Sequence, residues 1–227
     1  MRTRFQQGLD ELKQKLLAMS GMAEQAVDRA VMAYQSRDLQ LCNLVLEGEQ
    51  AINMIEREID ELGLDLLAMQ QPMAVDLRFV TAVMKINADL ERVGDQAVNI
   101  AERVISTASL PEIDLPIDIQ RMAGAASGMV RRALEAFIGA DSQMAEAVLQ
   151  MDDVVDRMNR EMFQALVKCM HDRPESVQQA LDALLIGRAL ERVADHATNI
   201  AEDVIFWVRG ADVRHHANHD QLGAPAL

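Results

Sequence analysis

Apolar residues recur along this chain at alternating steps of three and four. Leu9, Leu12, Leu16, Met19, Ala23, Ala26, Ala30 and Ala33 form a first seam. A second runs through Leu41, Val45, Gly48, Ile52, Ile55, Ile59, Leu62, Leu66 and Met69, and a third through Val83, Ile86, Leu90, Val93, Ala97, Ile100 and Val104. This spacing lays one apolar stripe along a long helix and leaves the opposite face polar. The seams break where turn chemistry appears. Ser36-Arg37-Asp38 supplies a helix stop and a new N-cap, and Gln71-Pro72 ends the second helix.

Residues 106–118 change character, with Pro111, Pro116 and several capping residues, and read as a connector. The pattern then restarts. Ile119, Met122, Ala126, Met129, Ala133 and Ala136 repeat the first seam, each 103 positions on. Val148, Met151, Val155, Met158, Met162, Ala165 and Cys169 repeat the second by the same shift. Ile186, Leu190, Val193, Ala197, Ile200 and Val204 repeat the third, shifted by 100. Between 86–105 and 186–205, 13 of 20 positions are identical, so the chain carries two copies of one unit. Helices of about 30 residues, ~45 Å long at 1.5 Å per residue, joined by short turns must run antiparallel to their neighbours. The expected fold is all-α: two tandem three-helix bundles over 1–107 and 117–209, a linker at 108–116 and a C-terminal tail at 210–227.

Composition narrows the function. Gly and Pro number 11 and 5, and aromatic residues are 3% of the chain, which argues against a sandwich, barrel or propeller. Two cysteines make no disulfide scaffold. The formal charge of −14 repels nucleic acid, and no Lys/Arg stripe offsets it. The longest stretch free of Asp, Glu, Lys and Arg is Leu66–Val75, far short of the ~20 apolar residues of a spanning helix. With no apolar core in the first residues, the expected location is cytoplasmic. The chain has no Gly-x-x-x-x-Gly-Lys phosphate loop, no Glu-x-x-His di-iron motif and no Gly-x-Ser-x-Gly elbow.

The repeat preserves carboxylates as well as core. Glu91, Asp95, Asn99 and Glu102 recur as Glu191, Asp195, Asn199 and Glu202, within about 80° of one another on the helix and beside the apolar seam. Glu49, Asn53, Glu56 and Asp60 flank the second seam in one copy, and Asp152, Asp156 and Asn159 in the other. Antiparallel packing brings the stripes of neighbouring helices together on one edge of each bundle. Like charges four apart repel unless compensated. Two readings follow: oxygen-rich sites for cations such as Mg, Mn or Fe, or a solvated face balanced by salt bridges, such as Arg192 with Asp195. On the first reading a metal-dependent enzyme and a plain metal-binding scaffold are both open.

Leu90-Glu-Arg-Val-Gly-Asp-Gln-Ala-Val-Asn99 and Leu190-Glu-Arg-Val-Ala-Asp-His-Ala-Thr-Asn199 resemble the paired Glu/Asp-x-x-x-Asp signatures of the PhoU family. Gln71-Pro-Met-Ala-Val-Asp-Leu-Arg78 is similar to that family's loop into its third helix, and Val208–His215 to its C-terminal end. The resemblance covers nearly the whole chain. It implies two tandem three-helix bundles and metal ions (iron, zinc, magnesium or manganese) on Glu91, Asp95, Glu191 and Asp195, with Glu49, Asn53, Asp152 and Asp156 as helix-2 partners. It also implies a regulator rather than an enzyme. Such a protein couples the ATPase subunit of a phosphate ABC transporter to a sensor histidine kinase, represses the phosphate regulon in high phosphate and reaches the membrane through those partners. Ala194 against Gly94, and Asn53 against Asp156, depart from strict repetition.

The remaining candidates read mostly as structure. His196 is expected to hydrogen-bond near the surface, and His215, His216 and His219 to lie on a solvated tail. Cys169 is expected to be a buried thiol in a core seam. Val27, Val31 and Tyr34 lie off the first seam and would suit a homodimer contact.

Overall fold

The computed structural model describes residues 2–70, 73–211 and 213. Among them the chain forms six α-helices and no strand: α1 Arg2–Ser36, α2 Leu39–Gln70, α3 Val75–Thr107, α4 Ile119–Gly139, α5 Ser142–Asp172 and α6 Val177–Arg209. A single 3-10 turn, Pro174–Ser176, leads into α6. The Gln71-Pro72 break and the histidine cluster lie outside the described residues, as does most of the expected tail.

Helix boundaries follow local chemistry. The Asp38 carboxylate accepts from Gln40 N at 2.8 Å, Asp118 from Arg121 N at 2.9 Å, and Asp141 from Gln143 N and Met144 N, which satisfies free N–H groups at three helix starts. Gly210 ends α6 at φ 70°, a left-handed conformation that costs glycine little. Arg37 donates to the carbonyls of Thr107, Ala108 and Leu110, so the α1–α2 corner caps the end of α3. One length departs from expectation. α4 spans 21 residues rather than about 30, because Pro111 and Pro116 hold the preceding chain out of helix and Asp118 caps the first residue that is free to enter it.

α1–α3 form one bundle and α4–α6 the other, and they share one continuous core. α3 packs on α6, and α1 on α4. α3 and α6 run antiparallel: Lys85 meets Asp203, Asp89 meets His196, and Arg103 meets Asp182. This arrangement explains a contrast between the seams. The named seam residues of α1, α3 and α4 are all buried, whereas those of α2 as far as Leu66 and those of α5 alternate between buried and half-buried, because the outer helices pack only within their own bundle. The strip offered for a homodimer is already used. Val27 and Val31 are buried inside the single chain, and Tyr34 is half-buried beside the linker. The expectation that they face a second copy is corrected.

Candidate functional site

The acidic stripes of α2 and α3 face each other, as do those of α5 and α6. In the first bundle Glu49, Asn53, Glu56, Glu91 and Asp95 are all half-buried. Burial raises the Glu91 carboxyl first, and Asp95, Glu56 and Glu49 raise it further against the opposing Arg92. Arg92 Nε stands 3.5 Å from Glu91 and its Nη1 4.0 Å from Asp95, on a side chain that is largely exposed. Asp60, also on the α2 stripe, is spent on structure: Asn87 Nδ2 donates to it and to Glu56 O, both at 3.0 Å.

In the second bundle charge is less balanced. Asp152, Asp156 and Glu191 are half-buried and Asp195 is more open. Burial, then Asp156, Asp195, Asp153 and Glu191, push the Asp152 carboxyl up from 3.8 to about 6. Partial burial also raises Asp195, with Asp156 adding to it and His196 and Arg192 opposing. Asp156 takes one surface pair, from Arg160 at 3.2 Å. The expected pairing of Arg192 with Asp195 is not among the ion pairs within 4 Å; Arg192 acts on Asp195 only at longer range. The Gly94 position is tight, since a Cβ there would meet Ile52 Cδ1 at 3.0 Å. Its mate Ala194 is buried without difficulty.

The outer members of the stripes go elsewhere. Asn99 donates to Gln96 at 3.3 Å, and Asn199 to Asp89 at 3.1 Å, both toward the α3–α6 contact. Glu102 is exposed beside Arg103, and Glu202 lines a groove between α3 and α6. Among the described residues no group of three or more His, Cys, Asp or Glu forms a ready-made metal cage. The donor chemistry nonetheless suits a cation. The carboxylates are oxygen donors of the kind hard ions take, they come from two helices, and their mutual repulsion is felt at Glu91 and Asp152.

Burial of Asp152, and that repulsion after it, have a measurable consequence. Folded Asp152 holds its proton up to about pH 6, against 3.8 for the ordinary group. Its charge therefore costs stability above that window, and the cost fades as pH falls from 6 toward 3.8. In metal-free protein Asp152→Asn should raise the unfolding midpoint near neutral pH by about 2–4 °C. This corresponds to ~1 kcal/mol in a chain of this size once solvent screening is allowed for. The gain should vanish near pH 4; a gain of the same size at both pH values would count against the repulsion.

Some polar residues were not anticipated from the sequence. Lys85 Nζ bonds Asp203 at 2.8 Å, and buried Asp182 accepts from Ser106 and Gln178 beside Arg103. Arg78 donates to Trp207 O. His196 does hydrogen-bond as expected, but across the bundle interface, to Asp89 at 2.8 Å. The signal was present in the positions where the repeats differ: 88, 89, 96 and 103 carry different residues from their mates and line the α3–α6 grooves. Cys42 and Cys169 are buried free thiols, and Cys169 accepts from Arg173 at 3.0 Å.

The PhoU domain family model matches residues 16–104 and again 119–204. A phosphate-specific transport system accessory protein PhoU homolog of Pseudomonas putida is 40% identical over 212 residues, spanning 93% of this chain and 83% of its own. The accessory protein PhoU of Escherichia coli is 31% identical, over 93% and 88%. The crystal structure of PhoU from Pseudomonas aeruginosa superposes with a TM-score of 0.87 at 38% identity, covering 91% of this chain and all of that one. The phosphate transport system regulatory protein PhoU of Streptococcus pneumoniae gives 0.85 at 30% identity. Two matched domains, near-complete coverage and the shared fold place this chain in the PhoU family.

Proposed function

We propose that the chain is an accessory regulator of phosphate transport. It acts as an adaptor between the ATPase subunit of a phosphate ABC transporter and a sensor histidine kinase, and holds the phosphate regulon off when phosphate is plentiful. The reading is carried by the near-full-length match to phosphate-specific transport accessory proteins. An adaptor transmits a signal only if it binds two transporter states with different affinity. A duplicated helical body with one shared core offers two related surfaces for such binding.

Metal ions belong to the same proposal. Glu49, Glu91 and Asp95, with Asn53 beside them, would hold a cation in the first bundle; Asp152, Asp156, Glu191 and Asp195 would hold one in the second. An all-oxygen set favours magnesium, manganese or iron over a softer ion. A bound cation would cancel the carboxylate repulsion and tie the outer helix of each bundle to its inner neighbour.

The test is complementation. In a strain lacking its own PhoU and carrying a phosphate-repressed reporter, this chain should restore repression in high phosphate. It should also co-purify with the transporter ATPase and the kinase. Folded, expressed protein that leaves the reporter on in high phosphate overturns the adaptor role.

A further inference from the structure

The antiparallel α3–α6 contact relates the repeats by an approximate two-fold axis near Val93 and Val193. It leaves one groove on each side of that axis, of about 400 and 440 Å³. Positions lining one groove are the repeat mates of positions lining the other, yet one is mixed in charge and the other carries only basic charge among the described residues. Around Asp89 the groove carries Glu202 and Asp203 against Lys85 and Arg92. Lys85 is bonded to Asp203, and Asp89 to His196 and Asn199. On the other side Leu185 replaces Lys85, Arg188 replaces Ala88, Ala189 replaces Asp89 and Arg103 replaces Asp203. Among the described residues that groove is lined by Arg103, Arg188 and Arg192 and by no carboxylate.

We propose that this arginine groove binds a multiply charged oxyanion of the phosphate class, as inorganic phosphate or a short polyphosphate. Arg188 and Arg192 stand one turn apart on α6. Both are exposed, and neither has a carboxylate within 4 Å among the described ion pairs, although Arg192 acts on Asp195 at longer range. Arg103 faces them from α3. It is steadied at 3.8 Å by Asp182, itself buried and already accepting from Ser106 and Gln178, and stands 4.0 Å from Glu102. Gln96, 6% exposed, accepts from Asn99 through its oxygen, so its amide N–H₂ remains a donor on the groove wall. Forked guanidiniums bind tetrahedral oxyanions through paired hydrogen bonds. Three around one groove favour a polyanion over a single carboxylate. In a chain of −14 the long-range field opposes anions, so this local concentration of positive charge must supply the attraction. The fold itself does not require an arginine at position 188 or 103, since Ala88 and Asp203 occupy those places in the mate groove.

The site does not depend on the adaptor reading or on metal. The test therefore uses the full chain treated with EDTA and titrated calorimetrically at low ionic strength with inorganic phosphate and, separately, tripolyphosphate. Wild type should bind at least one of them saturably, one per chain. Arg188→Ala/Arg192→Ala should weaken it at least about tenfold, as losing charged hydrogen bonds does. Arg188→Lys/Arg192→Lys should fall between, and Arg92→Ala in the mate groove should leave affinity unchanged. Binding of tripolyphosphate alone assigns the groove to polyphosphate. No saturable binding of either anion overturns the proposal, as does binding that Arg188→Ala/Arg192→Ala retains while its helical circular dichroism matches wild type.

Discussion

Phe137→Ala should lower the thermal midpoint by about 6–20 °C, the range expected when an aromatic core truncation costs ~3–5 kcal/mol in a chain of this length. Phe137 is fully buried, and its ring lies in a three-membered cluster. The Phe79 centroid is 5.6 Å away in a stacked arrangement, and that of Trp207 is 5.2 Å away at 45°. Phe79 and Trp207 meet edge-on at 5.2 Å. The rings come from α3, α4 and α6, so the cluster closes the contact between bundles as well as filling the second one. Such pairs add to their area burial through ring geometry. The cluster is further held by the hydrogen bond from Arg78 Nε to Trp207 O at 3.2 Å. Because the chain has one Trp, its fluorescence reports this place directly, and the substitution should shift emission to the red in the folded state. A midpoint within about 2 °C of wild type, below what ~1 kcal/mol produces, would show that the rings do not carry the inter-bundle contact.

Core and repeat were legible because a helix that buries one stripe must repeat its apolar residues every three or four positions. The seams of α3 and α6 predicted burial at Ile86, Leu90, Ile186 and Leu190, and all four are buried. The acidic stripes were legible for the same geometric reason: residues one step from the seam lie on its flank, and Glu91 and Asp152 do meet the carboxylates expected of the neighbouring helix. Relations between helices far apart in sequence were less legible. Period alone marks an apolar strip without saying which surface covers it. Val27 and Val31 therefore read as a dimer face, although the chain buries them itself. Nor does period separate an inner helix from an outer one, which is why Ile55 and Met158 are only half-buried on seams that look continuous. The inter-bundle contact was written in the differences between repeats. Asp89 pairs with His196, whose mate is Gln96, and Lys85 pairs with Asp203, whose mate is Arg103. Identity between copies points to what each bundle needs alone; divergence points to where the copies touch and cannot both be the same.

The metal reading makes the other large prediction. Metal-free protein titrated with Mn²⁺, Mg²⁺ or Fe²⁺ should gain about 2.7 kcal/mol for each site at a free ion concentration a hundred times that site's dissociation constant, or roughly 5–11 °C in midpoint per site. The two bundles should not contribute equally. The second offers four carboxylates in Asp152, Asp156, Glu191 and Asp195, while the first has the amide of Asn53 at the position of Asp156. Asp152→Asn/Asp156→Asn should therefore remove more of the gain than Glu49→Gln/Glu91→Gln. The sign with pH is also set. A ligand must lose its proton to bind, and Asp152 holds its proton up to about pH 6, so the gain should be full near neutral pH and shrink as pH falls through that value. The same carboxylate that weakens the metal-free fold near neutral pH would thus be the one that strengthens the loaded fold. The variant that relieves the repulsion should lose the response to metal. A thermal shift that Asp152→Asn/Asp156→Asn and Glu49→Gln/Glu91→Gln leave intact, or no shift with any of the three ions, would assign the acidic faces to solvation, with the salt bridges of Arg92 and Arg160 and the longer-range charges of Arg192 and His196 as compensation.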